Sequence, residues 1–136
     1  MTLVDSNILL DVFTEGSSWL EWSLLQLENA ALRGPLLIND VIYAETSIRF
    51  ESAEEFDKAL ADGGITVEPM SRPALFLAGK AFTRYRGAGG VRSGVLPDFF
   101  IGAHAAVEQL PLLTRDVRRY RTYFPTVALI APEGER

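Results

Sequence analysis

The chain contains no cysteine and only one histidine, His104. Those two scarcities narrow the chemistry sharply. Without cysteine there is no disulfide, no zinc–thiolate site and no thiol nucleophile. A lone histidine cannot build a multi-histidine metal centre. The missing disulfide capacity fits a reducing cytosol, so a cytoplasmic location is the expectation. Long apolar runs are missing too, and nothing approaches the roughly 20 residues that a membrane span requires. The start, Met1-Thr2-Leu3-Val4-Asp5, has no basic stretch ahead of its apolar residues, and Asp5 and Asn7 interrupt any signal-like run. No membrane association is expected. The glycine-rich stretch from Arg86 to Gly94 lacks both a Lys-Ser/Thr ending and a G-x-G-x-x-G between strand and helix, which excludes the common nucleotide-binding fingerprints. It reads instead as a mobile loop leading to Asp98.

What is present is an ordinary globular composition, 48% hydrophobic and 23% charged over 136 residues, enough for one domain with a sizeable core. The net charge of −5 argues against a general nucleic-acid binder, but the distribution is uneven. Residues 1–83 hold 13 acids and 5 bases, whereas residues 84–121 hold 3 acids and 7 arginines. A cationic rim beside an acidic site would suit a polyanionic substrate.

Apolar periodicity sets out an alternation of strands and helices. Leu3-Val4, Leu36–Ile38, Ile65–Val67, Pro111–Thr114 and Val127–Ile130 read as short buried strands. Between them the pattern predicts helices over Ile8–Phe13, Trp19–Leu32 (with Leu20, Leu24, Leu27 and Ala31 at helical spacing), Val41–Ile48, Ser52–Leu60, Pro73–Tyr85, Asp98–Gln109 and Val117–Tyr123. Asn39 and Ser52 are cap candidates. Gly102, Ala103, Ala105 and Ala106 would let their helix approach a neighbour closely. The expected fold class is α/β, a three-layer α/β/α sandwich around a short parallel sheet of four or five strands. Residues 1–131 are expected to form the domain and 132–136 a frayed C-terminal tail.

Four acids carry the functional signal. Asp5, Glu45, Asp98 and Asp116 each stand where a strand ends or early in the helix after it. In an open α/β sheet those ends share one edge, where ligands bind. Asp5, Asp98 and Asp116 alone could each be a helix-start acid. Glu45 is set among Val41, Ile42 and Ile48, on what reads as an apolar face, where a carboxylate is costly to bury without a partner. Together the four would repel one another unless a cation sat among them. Hard oxygen donors without Cys or His select Mg²⁺ or Mn²⁺. That combination points to hydrolysis of a phosphodiester. His104, six residues after Asp98, points about 120° away from that acid on an ideal helix, so a packed or surface histidine is the better reading than a general base. Trp19, Trp22 and Phe13 mark core or a partner interface. Asp11 and Glu15 are expected to face solvent.

The segments Asp5-Ser6-Asn7, Val41-Ile42-Tyr43-Ala44-Glu45, Leu96-Pro97-Asp98-Phe99-Phe100-Ile101-Gly102-Ala103-His104-Ala105 and Leu113-Thr114-Arg115-Asp116 resemble a PIN-domain ribonuclease, and their order and spacing are most similar to VapC-type toxins of toxin–antitoxin modules. The resemblance spans essentially the whole chain. It implies a single PIN-like domain and Mg²⁺-dependent (or Mn²⁺-dependent) endoribonuclease activity on structured RNA such as tRNA or rRNA loops. It implies Asp5 and Asp98 as direct metal ligands, with Glu45 and Asp116 ligating directly or through water. Asn7 and Thr114 would hydrogen-bond the carboxylates. The implied partners are a cognate antitoxin protein and a second copy of the chain in a homodimer. Arg92, Arg115, Arg118 and Arg119 are the candidate RNA contacts. The competing reading is a catalytically inactive PIN-fold module that docks a protein partner or RNA. A receiver-type phosphoryl-transfer domain is disfavoured, because Asp5 is followed by Ser6 and Asn7 rather than by a second acid.

Overall fold

The computed structural model describes residues 1–90 and 95–132. Arg92, and most of the expected tail, lie outside the described residues. Five strands, β1 (Thr2–Val4), β2 (Leu36–Ile38), β3 (Ile65–Val67), β4 (Leu112–Leu113) and β5 (Leu129–Ile130), form one sheet in the order β3-β2-β1-β4-β5 with every pairing parallel. Strands this short hold together because β1, β2 and β4 are buried at every residue, as a parallel sheet covered on both faces requires. The two edges are open by contrast: Thr66 and Val67 of β3 are exposed, and β5 is half-buried.

Among the described residues, seven helices connect the strands: α1 (Ser6–Phe13), α2 (Leu20–Arg33), α3 (Asp40–Ser47), α4 (Ala53–Asp62), α5 (Arg72–Gly87), α6 (Leu96–Glu108) and α7 (Arg118–Tyr123). Their starts follow cap chemistry. Asn39 Oδ1 accepts from Ile42 N–H, Ser52 Oγ from Glu55 N–H and Ser71 Oγ from Ala74 N–H. The Gly102 backbone of α6 lies so close to α7's end that a Cβ there would sit 2.3 Å from the Phe124 ring. The small residues of α6 thus do allow the close approach that the sequence suggests. The fold matches the expected α/β class, with five strands in the sheet.

Two helix faces differ from expectation. On α2, Leu20, Leu24, Leu25 and Leu32 are exposed, and the inward residues are Ser23 and Ala30, with Trp22 and Leu27 half-buried. The leucine spacing is helical, but Ser23 is drawn inward by a hydrogen bond to Asp11, which rotates the leucines outward. Helix α3 stops at Ser47, so Ile48 lies beyond it and is 76% exposed. The buried stripe of α3 is Ile42 and Thr46, and Glu45 stands half-buried beside it rather than on it.

In this topology the chain leaves β1 toward β2 on one side, and leaves β4 toward β5 on the other. The gap between the C-terminal ends of β1 and β4 is the switch point at which an open α/β sheet forms a crevice.

Candidate active site

Asp5 directly follows β1 at that crevice and caps α1. Its Oδ1 accepts from Ser6 N–H at 2.7 Å. Its Oδ2 accepts from Thr114 Oγ1 at 2.8 Å and from the Tyr120 hydroxyl at 2.9 Å. Asn7 joins the two strand ends: its Nδ2 donates to Thr114 Oγ1 at 3.2 Å and reaches Asp5 Oδ2 at 3.5 Å, and its Oδ1 accepts from Arg115 N–H at 3.2 Å. Thr114 Oγ1 also accepts from Asp116 N–H at 3.1 Å. The segment after β4 is therefore tied to the segment after β1 through the side chains of Asp5, Asn7 and Thr114.

Glu45, on α3, accepts from Ser6 Oγ at 3.0 Å. The same hydroxyl stands 3.4 Å from Asp5 Oδ1, so Ser6 bridges the two acids. Asp98 lies in the first turn of α6, and Arg119 Nη1 donates to its Oδ2 at 2.5 Å. Asp116 is exposed.

Electrostatics show that the acids share one region. Burial pushes the Asp5 carboxyl up despite its hydrogen bonds, and the Glu45 charge adds to that. Burial likewise raises Glu45, aided by the charge on Asp98, against the Ser6 bond that favours ionisation. Asp98 is pushed up to about 6, first by burial and then by the charge on Asp5, with Asp116 adding; the Arg119 guanidinium pulls the other way. Tyr120 is buried beside these charges and its hydroxyl is held well above the usual range, so it stays protonated and donates to Asp5. Three carboxylates raised by burial and by their neighbours' charges store repulsion, and a cation would relieve it.

The donor chemistry fits a hard divalent ion: carboxylate oxygens, with hydroxyl and amide groups behind them. The geometry is not yet a closed shell. Among the described residues, no three acidic or histidine side chains converge closely enough to hold a metal as they stand. Asp98 is turned to Arg119 instead.

Asp11 does not face solvent. It is 4% exposed and takes a two-pronged bond from Arg115, Nε to Oδ2 at 2.7 Å and Nη2 to Oδ1 at 3.0 Å, with Ser17 and Ser23 hydroxyls completing its shell. Burial acts to raise its carboxyl, but the bonds from Arg115, Ser23 and Ser17 outweigh it and hold the group below its ordinary value. A guanidinium 104 residues further along the chain could not be foreseen to join two local hydroxyls there. Arg115, half-buried and lying over the Trp19 ring, is thus committed to Asp11, whereas Arg118 is exposed. Glu15 is exposed as expected. His104 is buried, and its Nδ1 lies 3.0 Å from Asn39 Nδ2. Because an amide nitrogen can only donate, Nδ1 must accept, which makes the ring neutral with its proton on Nε2. The sequence reading missed Tyr120, and its signal was weak: one of two tyrosines in the short segment Arg118–Tyr123.

A PIN domain family model matches residues 2–125. The solved structure of VapBC2 from Rickettsia felis bound to a DNA fragment from their promoter is similar, with a TM-score of 0.73 at 18% identity over 97% of this chain and 98% of that chain. FitAcB from Neisseria gonorrhoeae gives a TM-score of 0.67 at 17% identity over 96% of each chain. DNA-bound VapBC from Salmonella typhimurium gives 0.67 at 16% identity over 96% of this chain and 98% of that one. At such identities the likeness is one of fold. No curated protein matches the chain.

Proposed function

Because the chain belongs to the PIN-domain family, whose members are generally nucleases, we propose that it is a divalent-metal-dependent endoribonuclease acting as the toxin of a toxin–antitoxin pair. The observation that supports this reading is the Ser6 hydroxyl bridging Asp5 and Glu45 at the sheet's switch point, with Asp98 near enough for its charge and theirs to act on one another.

Asp5 and Asp98 would hold Mg²⁺ or Mn²⁺ directly, with Glu45 and Asp116 ligating or holding water. Bound there, the ion would polarise a phosphate oxygen and make water a stronger nucleophile at neutral pH. The chain's own residues prepare that arrangement. Thr114, Tyr120 and Asn7 fix the orientation of Asp5, Ser6 keeps Glu45 beside it, and Asn7 and Thr114 hold Asp116 near the crevice. Attack by water in line with the departing ribose 3′-oxygen leaves a 5′-phosphate and a 3′-hydroxyl.

The substrate is a structured RNA with an accessible loop, tRNA or rRNA, since unstacked bases and phosphates are open there to arginine and aromatic side chains. Arg118 and Arg119 of α7 are the phosphate contacts this reading favours, since Arg115 is held by Asp11. Arg92 is retained as a candidate from its place in the sequence. The toxin assignment is supported by the likeness to VapBC and FitAB complexes, and it implies a cognate antitoxin, a homodimer and a cytoplasmic location. The exposed leucines of α2 offer an apolar surface of the kind a partner covers.

The test is cleavage of a structured RNA by the purified chain with Mg²⁺, with EDTA, and by Asp5→Asn. The expected result is cleavage that needs the metal and Asp5 and yields 5′-phosphate ends. A 2′,3′-cyclic phosphate product would contradict the mechanism, because the ribose hydroxyl would then be the nucleophile. Tight RNA binding with no cleavage under any metal would instead identify a silent binding module.

A further inference from the structure

We infer that Arg119 is an exchangeable counter-ion: its guanidinium and the divalent ion compete for Asp98, so metal loading displaces the arginine toward the substrate side of the crevice. This rests on the metal-dependent reading of the site.

The carboxylates of the crevice are not held alike. Asp5 is fixed by donors on three elements, Ser6, Thr114 and Tyr120. Asp98 has one side-chain bond among the described residues, the one from Arg119. It is also the only one of the four site acids with an ion-pair partner among those residues. The two partners are 25% and 26% exposed, so the pair is neither sealed in the core nor dissolved in solvent. A second hold comes from Tyr85, whose ring lies 5.4 Å from the guanidinium carbon. The guanidinium therefore stands where positive charge is needed, on a ligand that must take part if the acids are to close around one ion.

A divalent ion and a guanidinium bound to one carboxylate would repel each other in a partly dry site. Arg119 holds Asp98 through Oδ2, so an ion that takes that oxygen, or both oxygens, must displace the guanidinium. Only that side chain has to move, because the adjacent Tyr120 stays bonded to Asp5 and keeps α7 in place. Once released, Arg119 joins the exposed Arg118 at the same helix start, where both could meet a phosphate. The exchange leaves Asp98 paired with positive charge in either state.

Mn²⁺ binding measured by calorimetry on the full chain, without RNA, tests the inference in wild type, Arg119→Gln, Arg119→Lys and Asp5→Asn. Removing the competitor should tighten Mn²⁺ binding about tenfold in Arg119→Gln. Lysine keeps the charge but loses the planar fork and the stacking, so Arg119→Lys should bind severalfold tighter than wild type. A melting curve in EDTA verifies that each variant is folded, and the lysine variant carries the test if the glutamine variant is not. Equal or weaker binding in the folded Arg119 variants, with wild-type binding lost in Asp5→Asn, overturns the exchange and leaves the metal site standing. Absence of Mn²⁺ binding in wild type and variants alike overturns both.

Discussion

Asp98→Asn should stabilise the protein in the absence of metal, and the gain should depend on pH in a defined way. The Asp98 carboxyl is raised from 3.8 to about 6 in the folded chain. Its folded form therefore holds the proton more tightly than the unfolded chain does. Folding is favoured below pH 3.8, and the advantage is lost as pH climbs toward 6; above that the full cost of charging a partly buried acid is present. Taken at about 1.36 kcal/mol per tenfold change, the displacement corresponds to ~3 kcal/mol. The side chain is 26% exposed, so solvent screening reduces this, and roughly 1–3 kcal/mol is the working range. Asparagine has nearly the same shape, carries no charge and still offers Arg119 an acceptor. At pH 8 in EDTA the variant should melt roughly 5–10 °C above wild type. Near pH 4 both side chains are neutral in the folded state and the difference should nearly vanish. Adding Mg²⁺ at pH 8 should raise wild type much more than the variant. The assay is a circular-dichroism melt at the two pH values. A variant no more stable than wild type at pH 8, or equally stabilised at both pH values, would refute the reasoning that repulsion and burial dominate at Asp98.

Other outcomes follow from the same geometry. Tyr120→Phe removes a donor from the Asp5 side chain and should lower stability by about 1–2 kcal/mol; it should also weaken Mn²⁺ binding tenfold or more, and unchanged calorimetric affinity would show that Thr114 and Ser6 suffice. Gly102→Ala places a Cβ against the Phe124 ring and should cost about 1–3 kcal/mol in a denaturant titration, so an unchanged midpoint would mean that Phe124 swings aside freely. Burial depresses the His104 pKa from 6.5, against the charges of Glu108, Glu68 and Asp40. Its contribution to stability should thus be complete above pH 6.5 and decline as pH falls below it, because the unfolded chain protonates first. The melting-temperature advantage of wild type over His104→Gln should narrow between pH 7.5 and 5, and a constant difference would argue that the Asn39 bond does not depend on the neutral ring.

Much of the architecture was legible because it depends on local chemistry. Three-residue strands such as Leu36–Ile38 are continuous apolar runs, and Asn39 and Ser52 are cap residues whose bonds reach only three residues onward. Helix faces were less legible. The α2 leucines have the spacing of a buried stripe, yet Ser23 faces inward because Asp11 needs its hydroxyl. The bonds at Asp11, which join α1, α2 and the segment after β4, leave no periodic trace.

The site divides in the same way. The sequence by itself determined which chemistry is possible: no sulfur, one histidine, and four acids at the ends of elements, so that hard-cation, phosphate-directed chemistry was the reading left. Only the tertiary structure decided how those acids are held, since strand order brings β1 beside β4 and so sets Thr114 and Tyr120 on Asp5 and Arg119 on Asp98. Those contacts span 21 to 115 residues of chain. Their partners are chosen by distance in space, and a carboxylate accepts equally from any donor that the packing brings within reach.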